Sequence, residues 1–179
     1  STRRQAQLLA QRPALKVIEI RGNVSTRMQK LATREQMDAT VLALAGISRL
    51  DFRITPEGKL EGDAVPDGLL AVVLDTDVML PCVGQGAVGI EIRENDGRIT
   101  AICERLNHYN TLQAVTAERA FLHAMGGGCQ SPVAAYAEPM GDSLRMRAVS
   151  FLGAVRRGEL KGSLKEASAL GEAMAAELR

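Results

Sequence analysis

The spacing of apolar and polar residues in the last third of the chain predicts a small antiparallel sheet. Apolar and polar residues alternate over 144–150, which indicates a strand with one solvated face. Strand-like runs on either side cover 133–137 and 156–161, and Gly141-Asp142 and Gly153 mark the turns between them. The pattern predicts a small α+β domain in which helices cover one face of three antiparallel strands.

Helical spacing flanks this sheet and recurs in the first half of the chain. Leu112, Val115, Leu122 and Met125 predict a helix over 111–125. Further helices are predicted over 1–11, 24–31, 97–106 and 164–178, with Ser1 or Thr2 capping the first and Ser163 the last.

Short apolar runs alternate with the helices of the first half. We expect strands over 16–20, 39–44 and 69–74, and the glycines of 80–89 predict a tight crossing connection into another strand. This alternation predicts an α/β region with a mainly parallel sheet. The polar stretch 51–68 is expected to lie at the surface, with a small hairpin around Pro56-Glu57-Gly58. A domain boundary is predicted near 107–110, where the pattern changes.

Composition narrows the classes of function. The chain has 179 residues, of which 46% are apolar, so a folded core is expected rather than disorder. A net charge of +1, 3% aromatic residues and no Trp argue against nucleic acid and an anionic membrane as partners. Three cysteines without framework spacing favour a reducing cytoplasm. We expect no membrane span and assign no metal site.

Arginines occur where the predicted fold would collect an anion. Arg3 and Arg4 lie in the first turn of a helix, where cations oppose the helix dipole unless an anion also binds there. Arg21, Arg27 and Arg49 fall near the carboxyl ends of predicted strands, where ligands bind in parallel sheets. Solvated surface charge remains the alternative interpretation for Arg3 and Arg4.

One cysteine has unusual surroundings in the sequence. Cys129 follows the glycines at 126–128 and precedes Ser131-Pro132. Glycines leave room beside a thiol for a large attached group. The alternative is an inert, half-buried cysteine after a helix C-cap.

Six short motifs occur in a fixed order along the chain and include these arginines and Cys129. The motifs cover 1–5 (STRRQ), 21–27 (RGNVSTR), 45–50 (AGISRL), 80–91 (LPCVGQGAVGIE), 116–120 (TAERA) and 127–130 (GGCQ). Together they resemble the porphobilinogen deaminase family.

The resemblance implies a reaction, a cofactor and partners. Enzymes of this family link four porphobilinogen units head to tail with release of ammonia, as hydroxymethylbilane synthases, and they build on a dipyrromethane cofactor held by a cysteine thioether. By the motif match that cysteine is Cys129. The pyrrole units carry acetate and propionate groups, which guanidinium groups bind bidentately. Porphobilinogen and the growing polypyrrole chain are the expected partners.

The motif match also assigns binding residues. We expect Arg27 and Arg49 to bind substrate, whereas the cofactor would contact Ser1, Thr2, Arg3, Arg4, Arg21 and Gly22. Cys82 and Cys103 have no role in the family that we can assign. Structural roles are expected for His108 and His123.

The resemblance further implies a division into parts of three domains. Residues 1–75 correspond to the later part of a second, periplasmic-binding-protein-like domain of the doubly wound class. Residues 76–107 correspond to a return segment of the first domain, and 108–179 to the third, cofactor-carrying domain. The region with the family's general acid/base aspartate has no match, so we assign no catalytic residue. We expect the chain alone to be inactive and without cofactor, and the parent enzyme to be a cytoplasmic monomer.

Two other functions fit parts of the sequence. A stand-alone anion-binding module would keep the arginines without the chemistry. A thiol redox sensor would use Cys129, but nothing places Cys82 or Cys103 beside it as a resolving cysteine.

Overall fold

The computed structural model describes residues 1–33, 37–128 and 130–179 and has a mixed α/β fold. The chain divides into two compact units. Unit 1 comprises Ser1 and Arg3–Met79, and unit 2 comprises Thr2 and Leu80–Arg179.

Unit 1 contains three helices and a short hairpin. The helices are α1 (Thr2–Gln11), α2 (Val24–Ala32) and α3 (Leu44–Ser48), and β1 (Arg53–Ile54) pairs antiparallel with β2 (Leu60–Glu61). The predicted cap of α1 is present, because the Ser1 hydroxyl accepts a hydrogen bond from the Arg4 N–H. The hairpin lies where Pro56-Glu57-Gly58 predicts it, which confirms that part of the sequence analysis.

The core of unit 1 is small. Its buried members are Met28 in α2, Ile47 in α3 and Phe52 before β1. Because α2 and α3 are short, this core is completed by partly buried residues, namely Val24, Leu42, Leu60, Val65 and Leu69.

Unit 2 contains the predicted antiparallel sheet and four helical segments. The strands β3 (Val133–Met140), β4 (Ser143–Ser150) and β5 (Arg156–Ser163) pair in the order β3-β4-β5. The helical segments are α4 (Gly97–Leu106), α5 (Tyr109–Ala124), a 3₁₀ turn (Leu164–Glu166) and α6 (Ala167–Leu178). The predicted three-stranded antiparallel sheet with helices is therefore confirmed.

The sheet of unit 2 has one apolar face and one mixed face. Alternate residues of β3 and β4, such as Ala135 and Met146, pack with Phe121 of α5 and Met174 of α6 in a core without solvent exposure. On the opposite face, Ala134 and Val149 are covered by Leu80. The face predicted to be solvated is thus partly covered.

Four predicted strands have no counterpart in the structure. The ranges 16–20, 39–43, 69–74 and 87–92 lie outside every helix and strand, and both sheets of the described residues are antiparallel. Several apolar side chains in these ranges are exposed, as Leu70 (74%), Val72 (82%) and Val88 (85%) show. An apolar run becomes a strand only if another strand pairs with its backbone, and among the described residues these runs have only the single bridge between Leu70 and Lys59.

Helix α3 begins at Leu44, the last residue of a predicted strand. None of the helices in the described ranges has the length and apolar character needed to cross a bilayer.

Candidate functional site

The start of α2 brings three of the predicted binding residues together. Gly22 has φ +125°, and a Cβ there would come within 2.7 Å of Thr26 Cγ2, so glycine fits this turn. Asn23 Oδ1 caps the helix by accepting the Thr26 N–H at 2.8 Å. Arg27 Nε donates to the Gly22 carbonyl at 2.8 Å. The Arg27 guanidinium is therefore held against the turn that follows Arg21.

Arg21 lies on the exposed side of this turn. Its guanidinium pairs with Glu19 at 2.9 Å, and the two side chains are 82% and 70% exposed. Exposed ion pairs contribute little to stability, so a carboxylate of a ligand can replace Glu19 at small cost. Lys30 Nζ donates to the Arg21 carbonyl at 3.1 Å. The first turn of α2 contains no acidic residue.

The other two helices of unit 1, α1 and α3, contact neighbouring parts of this unit. Arg4 Nη1 donates to the Val41 carbonyl at 2.9 Å, which links α1 to the segment before α3. A Cβ on Gly46 of α3 would lie 3.2 Å from Val24 Cγ2, so α3 packs closely on the first turn of α2. Arg49 immediately follows α3 and is exposed.

Three of the remaining predicted residues lie at the start of α1, and one lies outside the described residues. Ser1 and Thr2 are exposed at the start of α1, and Arg3 is partly buried there. Cys129 lies outside the described residues, so its predicted role as cofactor attachment point stays a prediction.

The residues on either side of Cys129 in the sequence are ordered by hydrogen bonds. Helix α5 ends at Ala124 with Met125 as its C-cap, and the N–H groups of Gly126 and Gly127 donate to the carbonyls of His123 and Leu122. The Gly128 N–H donates to Ser131 Oγ at 3.0 Å, and the Ser131 N–H donates to the Gly128 carbonyl at 2.9 Å.

A buried carboxylate in unit 2 was missed by sequence reasoning. Glu118 of α5 is only 4% exposed. Its Oε2 accepts the Gly84 N–H at 2.6 Å, and its Oε1 accepts the Ala137 N–H at 2.9 Å. The available signal was its spacing, because Glu118 lies four residues after Ala114 and three before Phe121, on the apolar face of the helix.

Burial raises the pKa of Glu118 from 4.5 to about 7, while the N–H groups of Gly84 and Ala137 oppose that rise. On β3, burial raises the pKa of Tyr136, and the charges of Glu138 and Glu118 add to the effect. Four other ionisable side chains of α5 and α6 are exposed, namely Arg119, His123, Glu172 and Glu177.

This raised pKa predicts a pH dependence of stability. Below pH 4.5 the carboxyl is protonated in both folded and unfolded chains, and between 4.5 and about 7 only the unfolded chain loses the proton. The free energy of unfolding should therefore fall as pH rises through this window, by about 3 kcal/mol from Glu118 alone. Urea unfolding of the chain and of Glu118→Gln across this window should show the difference between them changing by that amount.

The control for this experiment is Glu104→Gln, which removes an exposed carboxylate from α4. Its unfolding curve should follow that of the unsubstituted chain. A constant difference between Glu118→Gln and the unsubstituted chain at every pH would contradict the prediction.

The described part of the chain contains no group of three or more His, Cys, Asp or Glu side chains arranged to hold a metal ion. The arrangement at the start of α2 instead combines guanidinium groups with a helix N-terminus. Both favour carboxylate or phosphate ligands.

Comparison with family models gives two matches that together cover most of the chain. Residues 1–101 match the model described as "Porphobilinogen deaminase, dipyromethane cofactor binding domain". Residues 112–179 match "Porphobilinogen deaminase, C-terminal domain".

Curated proteins named porphobilinogen deaminase are similar to the chain over three quarters of its length or more. The protein from Roseiflexus sp. is 41% identical over 181 aligned residues, covering 99% of this chain and 54% of that protein. The protein from Trichlorobacter lovleyi is 41% identical, covering 98% and 53%. The protein from Bacillus velezensis is 46% identical over 137 residues, covering 76% and 39%. The chain thus spans about half the length of the curated relatives it matches.

The first family model alone covers more than half of the chain and contains the arginines and the glycine at the start of α2. On these matches, the chain belongs to the porphobilinogen deaminase family.

Proposed function

We propose that the chain is part of a hydroxymethylbilane synthase, a transferase that condenses four porphobilinogen units head to tail with release of ammonia. The observation that carries this proposal is the turn before α2. There Arg21, Gly22 and Arg27 adjoin a capped helix N-terminus, within the range that matches the cofactor-binding model. A substrate rich in carboxylates is what such a site binds best.

The residues at this turn fit a dipyrromethane cofactor. The exposed Arg21–Glu19 pair can open to give its guanidinium to a ligand carboxylate, and the Arg27 guanidinium is aligned by the Gly22 carbonyl. A covalently bound dipyrromethane would supply the pyrrole terminus to which each porphobilinogen is added. We propose that Cys129 is its attachment point and that Ser1, Thr2, Arg3 and Arg4 help to bind it, with Arg49 on the substrate side.

The exposed apolar ranges support a further part of this proposal. The runs at 16–20 and 69–74 are suited to a parallel sheet, whose strands are apolar on both faces. Among the described residues of unit 1, they show no strand pairing apart from a single bridge at Leu70. We use the term polypeptide of family length for a chain that contains these residues and is as long as the curated relatives. We propose that in such a polypeptide these runs join a doubly wound, periplasmic-binding-protein-like sheet.

The ranges of the chain can be assigned to domains on the same basis. We propose that 1–75, 76–107 and 108–179 belong to the second, first and third domains of such a cytoplasmic, monomeric enzyme. The chain by itself would then lack the acid/base aspartate and would bear no cofactor.

A substitution at Arg27 tests the site. In a polypeptide of family length that contains this chain, Arg27→Leu should lower kcat/KM for porphobilinogen by about 10- to 100-fold, because a charge-assisted hydrogen bond to a substrate carboxylate is lost. The kcat/KM of Arg27→Lys should lie between those of Arg27→Leu and the unsubstituted polypeptide, since lysine keeps the charge but lacks the planar guanidinium group. Product formation from porphobilinogen is the measurement.

Arg12→Leu is the matched control, because Arg12 is an exposed arginine of unit 1 outside the predicted site. It should leave kcat/KM unchanged. Equal activity of Arg27→Leu and Arg12→Leu would remove Arg27 from the site. Failure of the unsubstituted polypeptide to consume porphobilinogen, with binding retained, would instead favour an anion-binding module.

A further inference from the structure

The glycine-containing motif at 80–86, which we call the crossing segment, passes around the edge of the unit 2 sheet. Leu80 is 6% exposed and packs with Ala134 and Val149 on one face. Val83 packs against the cluster of buried residues on the opposite face. Since adjacent residues of a strand point to opposite faces, a segment that contacts both must pass the edge strand. Of the two edge strands, β3 and β5, it is β3 that adjoins this segment, because Ala137 of β3 and Gly84 of the crossing segment both donate to Glu118.

Glu118 forms hydrogen bonds to both β3 and the crossing segment. The N–H of Ala137 points away from β4 and would be unpaired at the sheet edge, but it donates to Glu118 Oε1 at 2.9 Å. The second oxygen accepts the Gly84 N–H at 2.6 Å. One buried side chain on α5 therefore holds both the edge of β3 and the crossing segment. Gly84 has φ +69° and lies beside Val115 of α5, so this backbone position is suited to glycine.

The crossing segment and the last turn of α5 are supported by the same core. Val83, Leu122 and Met125 all pack against the same cluster of buried residues. Leu122 lies one helical turn after Glu118, and its carbonyl accepts the Gly127 N–H at 3.0 Å. Gly127 is tightly packed, since a Cβ there would come within 3.0 Å of Leu122 Cδ1 and 2.8 Å of Ser131 Oγ.

We propose that Glu118 is a positioning residue for the loop that carries Cys129, because it fixes the crossing segment against α5 and thereby supports the hydrogen bonds that end this helix at 125–127. Cys129 follows those bonds by two residues in the sequence. The inference rests on the proposed function only for the role of Cys129. The structural coupling holds whether or not the protein is an enzyme.

Site-resolved hydrogen exchange on the 179-residue chain tests the coupling. The exchange is measured at a pH above the raised pKa of Glu118, where the unsubstituted side chain is a carboxylate that accepts both N–H groups. In Glu118→Gln, the amide can accept only one of the two N–H groups, since its NH₂ cannot accept a hydrogen bond. We expect exchange at Gly84 or Ala137 to rise at least about tenfold, the size of one lost hydrogen bond. We also expect exchange at Gly126 and Gly127 to rise with it. Glu118→Asp, which keeps the carboxylate on a shorter side chain, should restore part of the protection.

Leu80→Ala is a second variant that loosens the crossing segment at its other anchor without touching Glu118. It should also raise exchange at Gly126 and Gly127, and the effects of the two substitutions should be non-additive. Glu104→Gln is the control and should change none of these amides. Exchange at β4 amides reports global unfolding in every variant, so local changes can be separated from it.

Two outcomes would overturn the inference. Unchanged protection at both Gly84 and Ala137 in Glu118→Gln would show that the carboxylate does not fasten the crossing. Increased exchange there, with Gly126 and Gly127 unchanged in both variants, would show that the crossing does not support the end of α5. Neither result depends on catalytic activity, so each is distinguishable from failure of the proposed function.

Discussion

Replacing Cys129 by serine in a polypeptide of family length should abolish both cofactor attachment and product formation. The expected intact mass of the unsubstituted polypeptide includes two linked pyrrole units, and the Cys129→Ser mass does not. Activity with porphobilinogen should fall to background. This is the largest effect we expect of any single substitution in the chain.

The reason is the chemistry of the thiolate. Loss of ammonia from porphobilinogen leaves an electrophilic carbon, and a thiolate is a far better nucleophile toward it than a serine hydroxyl. On the proposed function, loss of the tether would leave the growing pyrrole chain without a fixed starting point. The proposed binding of carboxylates by Arg21 and Arg27 would still concentrate substrate, but it would not replace the covalent bond.

The other two cysteines provide matched controls. Cys82 and Cys103 are free thiols of intermediate burial. Cys82→Ser and Cys103→Ser should retain the added mass and the activity. A Cys129→Ser polypeptide that keeps the added mass would show that the attachment point lies elsewhere.

Replacing Gly171 by alanine should strongly destabilise unit 2. Gly171 lies in α6 where this helix crosses α5, and a Cβ there would overlap the Ala117 carbonyl oxygen. It would also lie 2.8 Å from the Phe121 nitrogen and 2.9 Å from Ala120 Cβ. Because backbone atoms cannot rotate away, the two helices must separate. We expect the free energy of unfolding to fall by about 3 kcal/mol.

Gly97 provides the control for this substitution. It is the first residue of α4, and nothing lies within 4 Å of a Cβ placed there. Gly97→Ala should be neutral or should stabilise the chain by about 0.5 kcal/mol, because alanine has the higher helix propensity. Urea unfolding of both variants measures the difference. Equal stability of Gly171→Ala and Gly97→Ala would contradict the close helix crossing.

Local sequence signals predicted most helices and the antiparallel strands. Helix α4 follows the predicted bounds, and β3, β4 and β5 overlap the predicted strands with extensions at their ends. These elements are encoded within a few residues, by caps, by turn glycines and by the alternation over 144–150. The exposed run at 69–74 shows the limit of such signals, since the same apolar pattern yields a strand only where a partner strand is present.

The candidate site was predictable in part. Arg21 and Arg27 were predicted from their places near the end of an apolar run and the start of a helix, and Gly22 from the resemblance. The structure brings them together through the Arg27–Gly22 hydrogen bond. Their assignment to cofactor or substrate is a prediction carried by the resemblance. The link from Arg4 to Val41 was not predictable, because it joins residues far apart in the sequence.

The sequence by itself determined the family of this protein, most of its helices, the antiparallel sheet and the residue types of the site. Each of these depends on order and spacing along the chain. Only the tertiary structure decided that Glu118 is buried, that it joins Gly84 to Ala137, and that Leu80 and Val83 contact opposite faces of one sheet. The physical reason is that burial and the pairing of a buried charge depend on groups distant in sequence, which no local pattern specifies.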